Sequence, residues 1–150
     1  MYIFLKALHS IVRWIVVLGG VYAIILALRG LFTKAHWGIN EKRAGLIFTN
    51  ALNIQFVIGL ILYFISPLGA RLFSAGDMAA VMGNKIQRFF AVEHLTIMIL
   101  ALVAAQLGYS LAKRAKTDQA KFVRASVGYV LAGLLLAYGI PWWRPLFPGL

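Results

Sequence analysis

The stretch "RFFAVEHLTIMILALVAAQLG", residues 88–108, begins with Arg88 and has two further ionisable side chains, Glu93 and His94, a few residues inside its apolar run. About 20 apolar residues are enough for a helix to cross a lipid bilayer. An unpaired charge inside such a helix costs about 3 kcal/mol or more. The stretch therefore predicts a membrane-spanning helix in which Glu93 and His94 serve a function.

Three further apolar runs of similar length occur, and we predict spanning helices over residues 2–28, 44–65, 89–112 and 122–140. Pro141 ends the last run, because proline cannot continue the helical hydrogen-bond ladder. Hydrophobic residues make up 62% of the 150-residue chain, well above the share typical of soluble domains. We expect one all-α domain over residues 1–150, an integral membrane bundle of four helices in up-down-up-down order.

The net charge of +11 indicates basic loops that face an anionic membrane surface, and we expect no nucleic-acid partner. Assigned to the two sides of the membrane, the Lys and Arg residues number nine on the side of the first and third connections and six on the other, where Arg13 lies inside a span. Because cytoplasmic loops carry the excess of Lys and Arg, both termini are predicted on the extracytoplasmic side.

Two histidines lie at matching depths in the first and third spans. His9 is about seven residues into its span and His94 about six, which places each on the order of 10 Å along its helix. The first and third helices of such a bundle are parallel and diagonally opposite. Two imidazoles at one depth are what a haem iron with two axial histidines requires. We therefore predict one b-type haem per chain, with His9 and His94 as its iron ligands.

Helical phase supports this pairing, because small residues follow both histidines on the same helix face. The residues concerned are Arg13, Val16, Gly20, Ala23 and Ala27 after His9, and Met98, Ala101, Ala105 and Gly108 after His94. Ile11, Ile15, Leu18 and Ile25 lie elsewhere on the first helix and are expected to face lipid. Small residues allow close helix packing or leave room for a flat ring, so both histidines should face the bundle interior.

Glu93 and Arg13 are predicted to accompany the histidines. Glu93 either hydrogen-bonds the His9 ring or a water beside it, or forms an ion pair with Arg13. The haem propionates should face the nearer, extracytoplasmic surface, where Arg88, Lys6 and Arg144 are candidate partners, with Arg13 as a deeper one.

Other interpretations of the histidines remain open. In one interpretation the histidines are hydrogen-bonded core residues. In another they belong to a zinc or copper site, whose further ligands would be Glu93, Met98 or residues of the outer loop. The chain has no cysteine, which excludes thiolate metal sites and disulfides. His36, beside Trp37 in the cytoplasmic loop, is too distant to join them.

A second group of polar residues is predicted in the cytoplasmic half and consists of Asn50, Asn53, Gln55, Gln106 and Tyr109. Interhelical hydrogen bonding is its expected role, and a quinone head-group pocket is the alternative. Tyr63 and Ser66, near the level of the predicted haem, form another candidate quinone site.

The segments "LHSIVRW" (8–14), "FFAVEH" (89–94), "NIQFVIGLILYFISPL" (53–68) and "IPWW" (140–143) resemble those of small bacterial membrane proteins of the "cytochrome B" group. The resemblance implies a b-type haem within four helices of the bacterial cytoplasmic membrane. By position, His9 and His94 would be the ligands, accompanied by Arg13 and Glu93.

A fainter resemblance links "KALH" (6–9) to the four-helix membrane protoporphyrinogen oxidases, although the second histidine expected after the first helix is absent from "IILALRGLF" (24–32). We expect a membrane cytochrome that moves single electrons between a quinol and a redox partner, alone, as an oligomer or as a subunit of a larger complex. A haem-dependent porphyrinogen oxidase and a non-catalytic structural or assembly subunit are the alternatives.

Overall fold

Four long helices form the protein, as the computed structural model shows for residues 1–74 and 76–145. They are α1 (Tyr2–Thr33), α2 (Ile39–Ile65), a third span (Lys85–Arg114) and α7 (Asp118–Gly139). The connection between α2 and the third span contains the short helices α3 (Arg71–Ser74) and α4 (Met78–Gly83). The third span consists of α5 (Lys85–Arg88), a π-helical turn (Phe89–Glu93) and α6 (His94–Arg114). All four long helices are long and apolar enough to cross a membrane, and the predicted fold class is confirmed.

Three of these helices begin several residues before the apolar runs that predicted them, and for α2 and α7 a capping hydrogen bond explains the earlier start. The backbone N–H of Gly38 donates to Glu41 Oε2 (2.9 Å), which caps the start of α2. At the start of α7 the N-cap side chain is itself the acceptor: the Thr117 hydroxyl accepts from the N–H of Ala120 (3.2 Å). Such caps satisfy the free N–H groups of a first helical turn, so the helix extends through charged residues that hydropathy assigns to the loop.

The helices form a ring in which α1 packs against α2 and α7, and α6 packs against the same two neighbours. Consequently α1 and α6 lie diagonally across the bundle, as the up-down-up-down order predicts. We call the end that carries Met1, the 66–84 connection and Arg144 the termini end. The end that carries the connections 34–38 and 115–117 is the loop end.

On α1 and α6, the face toward the inside of the bundle consists mostly of small residues, and the outward face of α1 has bulky ones. The predicted interior face of α1 is buried at Arg13, Val16, Gly20, Ala23 and Ala27, and that of α6 at Ala101, Ala105 and Gly108. The outward-facing residues Ile11, Ile15, Leu18 and Ile25 are each about half exposed or more. The predicted inward and lipid-facing surfaces are therefore confirmed for these positions.

Candidate functional site

The rings of His9 and His94 meet across the bundle, near the termini end. Their centroids are 6.5 Å apart and their planes cross at 72°. The two residues belong to α1 and α6, the diagonal pair, so only side chains that both face the interior at one depth could come this close. The expected meeting of the two imidazoles is confirmed.

This separation suits a single metal atom between the two rings. A metal–imidazole bond is about 2 Å long, and each ring extends about 1 Å further to its centroid, so two axial imidazoles on one atom have centroids about 6 Å apart. The observed 6.5 Å lies close to that value.

The His94 ring is oriented by a backbone carbonyl. Its Nδ1 lies 2.8 Å from the Gly139 oxygen, so Nδ1–H donates and Nε2 keeps its lone pair. Histidine ligands of metals typically donate their other ring N–H in this way, which fixes the tautomer and raises the basicity of the ligating nitrogen. Gly139 is the last residue of α7, where carbonyls lack intrahelical partners. The sequence signal for this contact is Pro141, which marks the helix end near the level of His94.

A π-helical turn directly precedes His94. The His94 backbone N–H bonds the Phe89 carbonyl, five residues back, and the Tyr63 hydroxyl of α2 donates to the Ala91 carbonyl (3.1 Å). Single π turns inside α-helices are frequent at functional sites, because they change the direction of the side chains beyond them. No residue pattern had predicted this turn, and Tyr63 had been predicted only as part of a candidate quinone site.

His9 is held differently from His94. The Gln55 amide donates to the His9 backbone carbonyl (3.0 Å) and joins α2 to α1 at this level. Its ring nitrogen Nδ1 is buried with no hydrogen-bond partner. A Cβ added at Gly59 of α2 would lie 3.0 Å from His9 Cε1, so the absence of a side chain at position 59 makes room for the ring. Gly59 was not among the predicted site residues.

A cavity of about 470 Å³ contains both histidines, within the range of small-molecule and cofactor pockets. Its walls are mainly apolar and include Val16, Leu52, Met98 and Leu136. From the histidine level it continues to the termini end. A large apolar ring system therefore fits the lining, with the two imidazoles on opposite walls.

Three cations line this cavity, namely Lys6, Arg13 and Arg144. Arg13 is buried one turn below His9, with its guanidinium 5.8 Å from the centroid of the Trp14 ring. The Arg144 guanidinium lies over the Phe90 ring at 4.2 Å. Arg13 and Arg144 thus line the same cavity as His9 and His94, and their role toward a haem stays a prediction.

Arg88 and Glu93 lie outside the cavity, in contrast to what the sequence suggested. Arg88 Nε donates to Glu93 Oε1 at 2.7 Å, and both side chains are more than one third exposed. The expected contacts of Glu93 with His9 or Arg13 are therefore not the ones it makes. The reason is the π turn: residues five apart are about 140° apart around an α-helix, and i→i+5 bonding brings them to the same side.

No three His, Cys, Asp or Glu side chains are close enough to hold a metal ion within residues 1–74 and 76–145. This finding leaves the zinc interpretation without a third ligand of these four residue types. Copper ligation through Met98, which lines the same cavity as the two histidines, stays a prediction. A haem iron needs only axial ligands from the protein. His36 does not join the site, because it lies at the loop end with Nδ1 2.7 Å from Asp118 Oδ2.

The second polar group forms a bond between helices. Gln106 of α6 donates to Asn53 Oδ1 of α2 at 2.8 Å, as interhelical hydrogen bonding predicts. Gln55 belongs instead to the histidine level, because α2 runs antiparallel to α1 and places Gln55 beside His9. Ser66 lines the cavity, and its hydroxyl accepts from the Leu68 N–H (3.1 Å). A quinone at either place stays a prediction.

No protein family matches this chain, and no curated protein or solved structure matches it. A function for the chain must therefore be inferred from the geometry of the histidine cavity.

Proposed function

We propose that this protein is a membrane-embedded b-type cytochrome that holds one haem between His9 and His94 and transfers single electrons. The observation that carries the proposal is the pair of inward-facing imidazoles on diagonal helices, with ring centroids 6.5 Å apart in a mainly apolar cavity of about 470 Å³. Ordinary helix packing does not require two histidines to meet in this way.

The residues around the cavity are of the kinds that would orient two axial histidines and hold a haem between them. A haem supplies one-electron redox chemistry when it is bound, and the protein sets its axial ligands and surroundings. The Gly139 carbonyl holds the His94 ring, and its Nε2 lone pair is available to a metal. Gly59 leaves space beside His9. Arg13 and Arg144 bring positive charge to a cavity where two propionates would need it.

The second candidate is a structural or assembly subunit whose histidines fix the register of the helices. The His94–Gly139 hydrogen bond favours it, because this bond joins α6 to α7 without any metal. His9 argues against it, because its buried Nδ1 has no hydrogen-bond partner in the part of the chain that the structure describes. A histidine kept only for structure would be expected to satisfy its buried nitrogen.

Absorption spectroscopy tests the proposal. We expect the purified wild-type protein, expressed with a haem supply or reconstituted with hemin, to show a low-spin b-type reduced-minus-oxidised spectrum with one haem per chain. His9→Ala and His94→Ala should each abolish the low-spin spectrum, since each removes one axial ligand. His36→Ala, a histidine change at the loop end, is the matched control and should leave the spectrum unchanged.

Size-exclusion profiles show whether each variant is folded. A wild-type protein that is monodisperse yet colourless after reconstitution contradicts the cytochrome and favours the structural subunit. That candidate also predicts that His94→Asn keeps the wild-type stability, because an amide can donate to the Gly139 carbonyl.

A further inference from the structure

The part of the cavity nearest the termini end is positively charged. Lys6 from the first turns of α1 and Arg144 from the segment after α7 both line it. Each is only partly exposed. Among the residues that the structure describes, no Asp or Glu side chain contributes to the cavity lining. A ligand in this part of the cavity therefore meets two cations and no side-chain anion.

The acidic residues of the chain are already engaged elsewhere. There are four. Glu41 caps α2, Asp77 caps α4, Glu93 pairs with Arg88, and Asp118 bonds His36. Within residues 1–74 and 76–145, the two cavity cations thus have no carboxylate partner. Cations near a low-dielectric cavity favour a bound anion as counter-charge.

Arg144 is directed at the histidine level by an aromatic neighbour. Its guanidinium lies 4.2 Å from the centre of the Phe90 ring, and the Phe90 and His94 ring centroids are 6.2 Å apart. Stacking on the ring holds the guanidinium plane and leaves its N–H groups available to a carboxylate. Lys6 lies on α1 and Arg144 on the segment that follows α7, and α1 packs against α7, so the two cations approach the cavity from neighbouring parts of the fold.

The geometry points to Lys6 and Arg144 as a paired receptor for two carboxylates on the edge of a flat apolar ligand. This inference rests on the proposed function: the ligand is a dicarboxylate tetrapyrrole, whose acid edge faces the termini end while its ring lies between the histidines. Arg88, which the sequence had suggested for this role, is bonded to Glu93 and is not part of the receptor.

Binding titrations with the acid and ester forms of one ring test the receptor. The haem-free full chain in neutral detergent is titrated with metal-free protoporphyrin IX and with its dimethyl ester, followed by porphyrin fluorescence. We expect the wild type to bind the diacid at least about tenfold more tightly than the diester, a difference of about 1.4 kcal/mol. Lys6→Gln with Arg144→Gln should remove this preference.

The controls are Lys85→Gln and Arg71→Gln, which remove exposed cations at the same end that do not line the cavity. Both should keep the wild-type preference. Equal affinity of the wild type for diacid and diester overturns the inference, and so does loss of the preference on adding phosphatidylglycerol, because the cations would then bind lipid head groups. Since iron is absent, these results are independent of axial ligation. If the wild type binds hemin through both histidines but has equal affinity for the diacid and the diester, the proposed cytochrome function stands and the carboxylate receptor is wrong.

Discussion

The two halves of the bundle are built from the same four helices and differ in how closely these approach. Toward the loop end, the helices touch through glycines: Gly108 and Gly128 meet backbone to backbone, and the hydroxyl of buried Tyr129 occupies the space that a side chain at Gly45 would take. Toward the termini end, the helices enclose the cavity of about 470 Å³.

We therefore expect the loop-end half to contribute mainly to stability and the cavity half mainly to ligand binding. Close packing gives dispersion contacts to the loop-end half, and membrane helices depend on such contacts because lipid provides no hydrophobic drive for their association. The cavity half gives up those contacts for space around His9 and His94. Substitutions of one chemical kind should therefore have different consequences in the two halves.

The largest effect is expected for Gly128→Ala in the loop-end half. The added Cβ would overlap the Gly108 Cα and lie 2.8 Å from the Ala104 carbonyl oxygen, and these backbone atoms cannot move aside without separating α6 from α7. We expect the free energy of unfolding to fall by about 3 kcal/mol. Thermal unfolding in detergent, followed by circular dichroism, measures it.

Gly133→Ala on the same helix is the matched control for Gly128→Ala. There the nearest atom, 2.8 Å away, is the terminal carbon of the flexible Ile24 side chain. Its stability should stay within about 1 kcal/mol of wild type. Equal losses for the two variants would contradict the special role of the glycine contact.

The next largest effect is expected for Gly59→Val in the cavity half, and it should fall on binding. Its Cβ would lie 3.0 Å from His9 Cε1, so the branched side chain pushes the imidazole from its position. We expect hemin affinity to fall at least about tenfold, a loss of about 1.4 kcal/mol. Hemin titration followed by absorbance measures the affinity.

Gly19→Val is the control for Gly59→Val, because Gly19 has only ordinary contacts with α2 and does not line the cavity. It should bind hemin like the wild type. Should Gly59→Val bind hemin normally while remaining folded, the position of His9 does not depend on this glycine.

The division into a close-packed half and a cavity half was not predicted from the sequence, but the inward helix faces and the level of the histidines were, because helical phase and depth are regular properties. The faces that contain Gly20 and Ala105, and the shared level of His9 and His94, follow from 3.6 residues per turn and 1.5 Å per residue. No family resemblance was needed for them. The antiparallel order of short-looped helices then placed α1 and α6 on a diagonal.

The π turn at 89–93 could not be predicted in this way, and the error for Glu93 is its consequence. In a π turn each backbone N–H bonds the carbonyl five residues back instead of four, and no pattern of residue types predicts this shift. It is stabilised by partners distant in sequence, such as the Tyr63 hydroxyl on Ala91. The contact of Gly139 with His94 also depends on where α7 ends in space.

A smaller effect is expected for Tyr63→Phe, which removes the hydroxyl bonded to the π turn. The Ala91 carbonyl then loses its side-chain donor, and we expect a loss of about 1 kcal/mol in stability. Because the turn positions His94, the low-spin spectrum and the reduction potential should shift as well. Spectroelectrochemistry measures the shift. Tyr138→Phe, a 76% exposed tyrosine on α7, is the control and should change neither property. An unchanged potential in Tyr63→Phe would show that the turn does not orient the ligand.

The smallest effect is expected at the Asn53–Gln106 hydrogen bond, which joins α2 to α6 where that helix pair borders the cavity half. Single hydrogen bonds between membrane helices contribute about 0.6 kcal/mol, because the separated helices also find partners. A double-mutant cycle with Asn53→Leu and Gln106→Leu should give a coupling energy of that size. A coupling near zero would mean that the 2.8 Å bond adds nothing to the bundle. The pair would then be available for a ligand, and the quinone interpretation of these residues would gain support over the structural one.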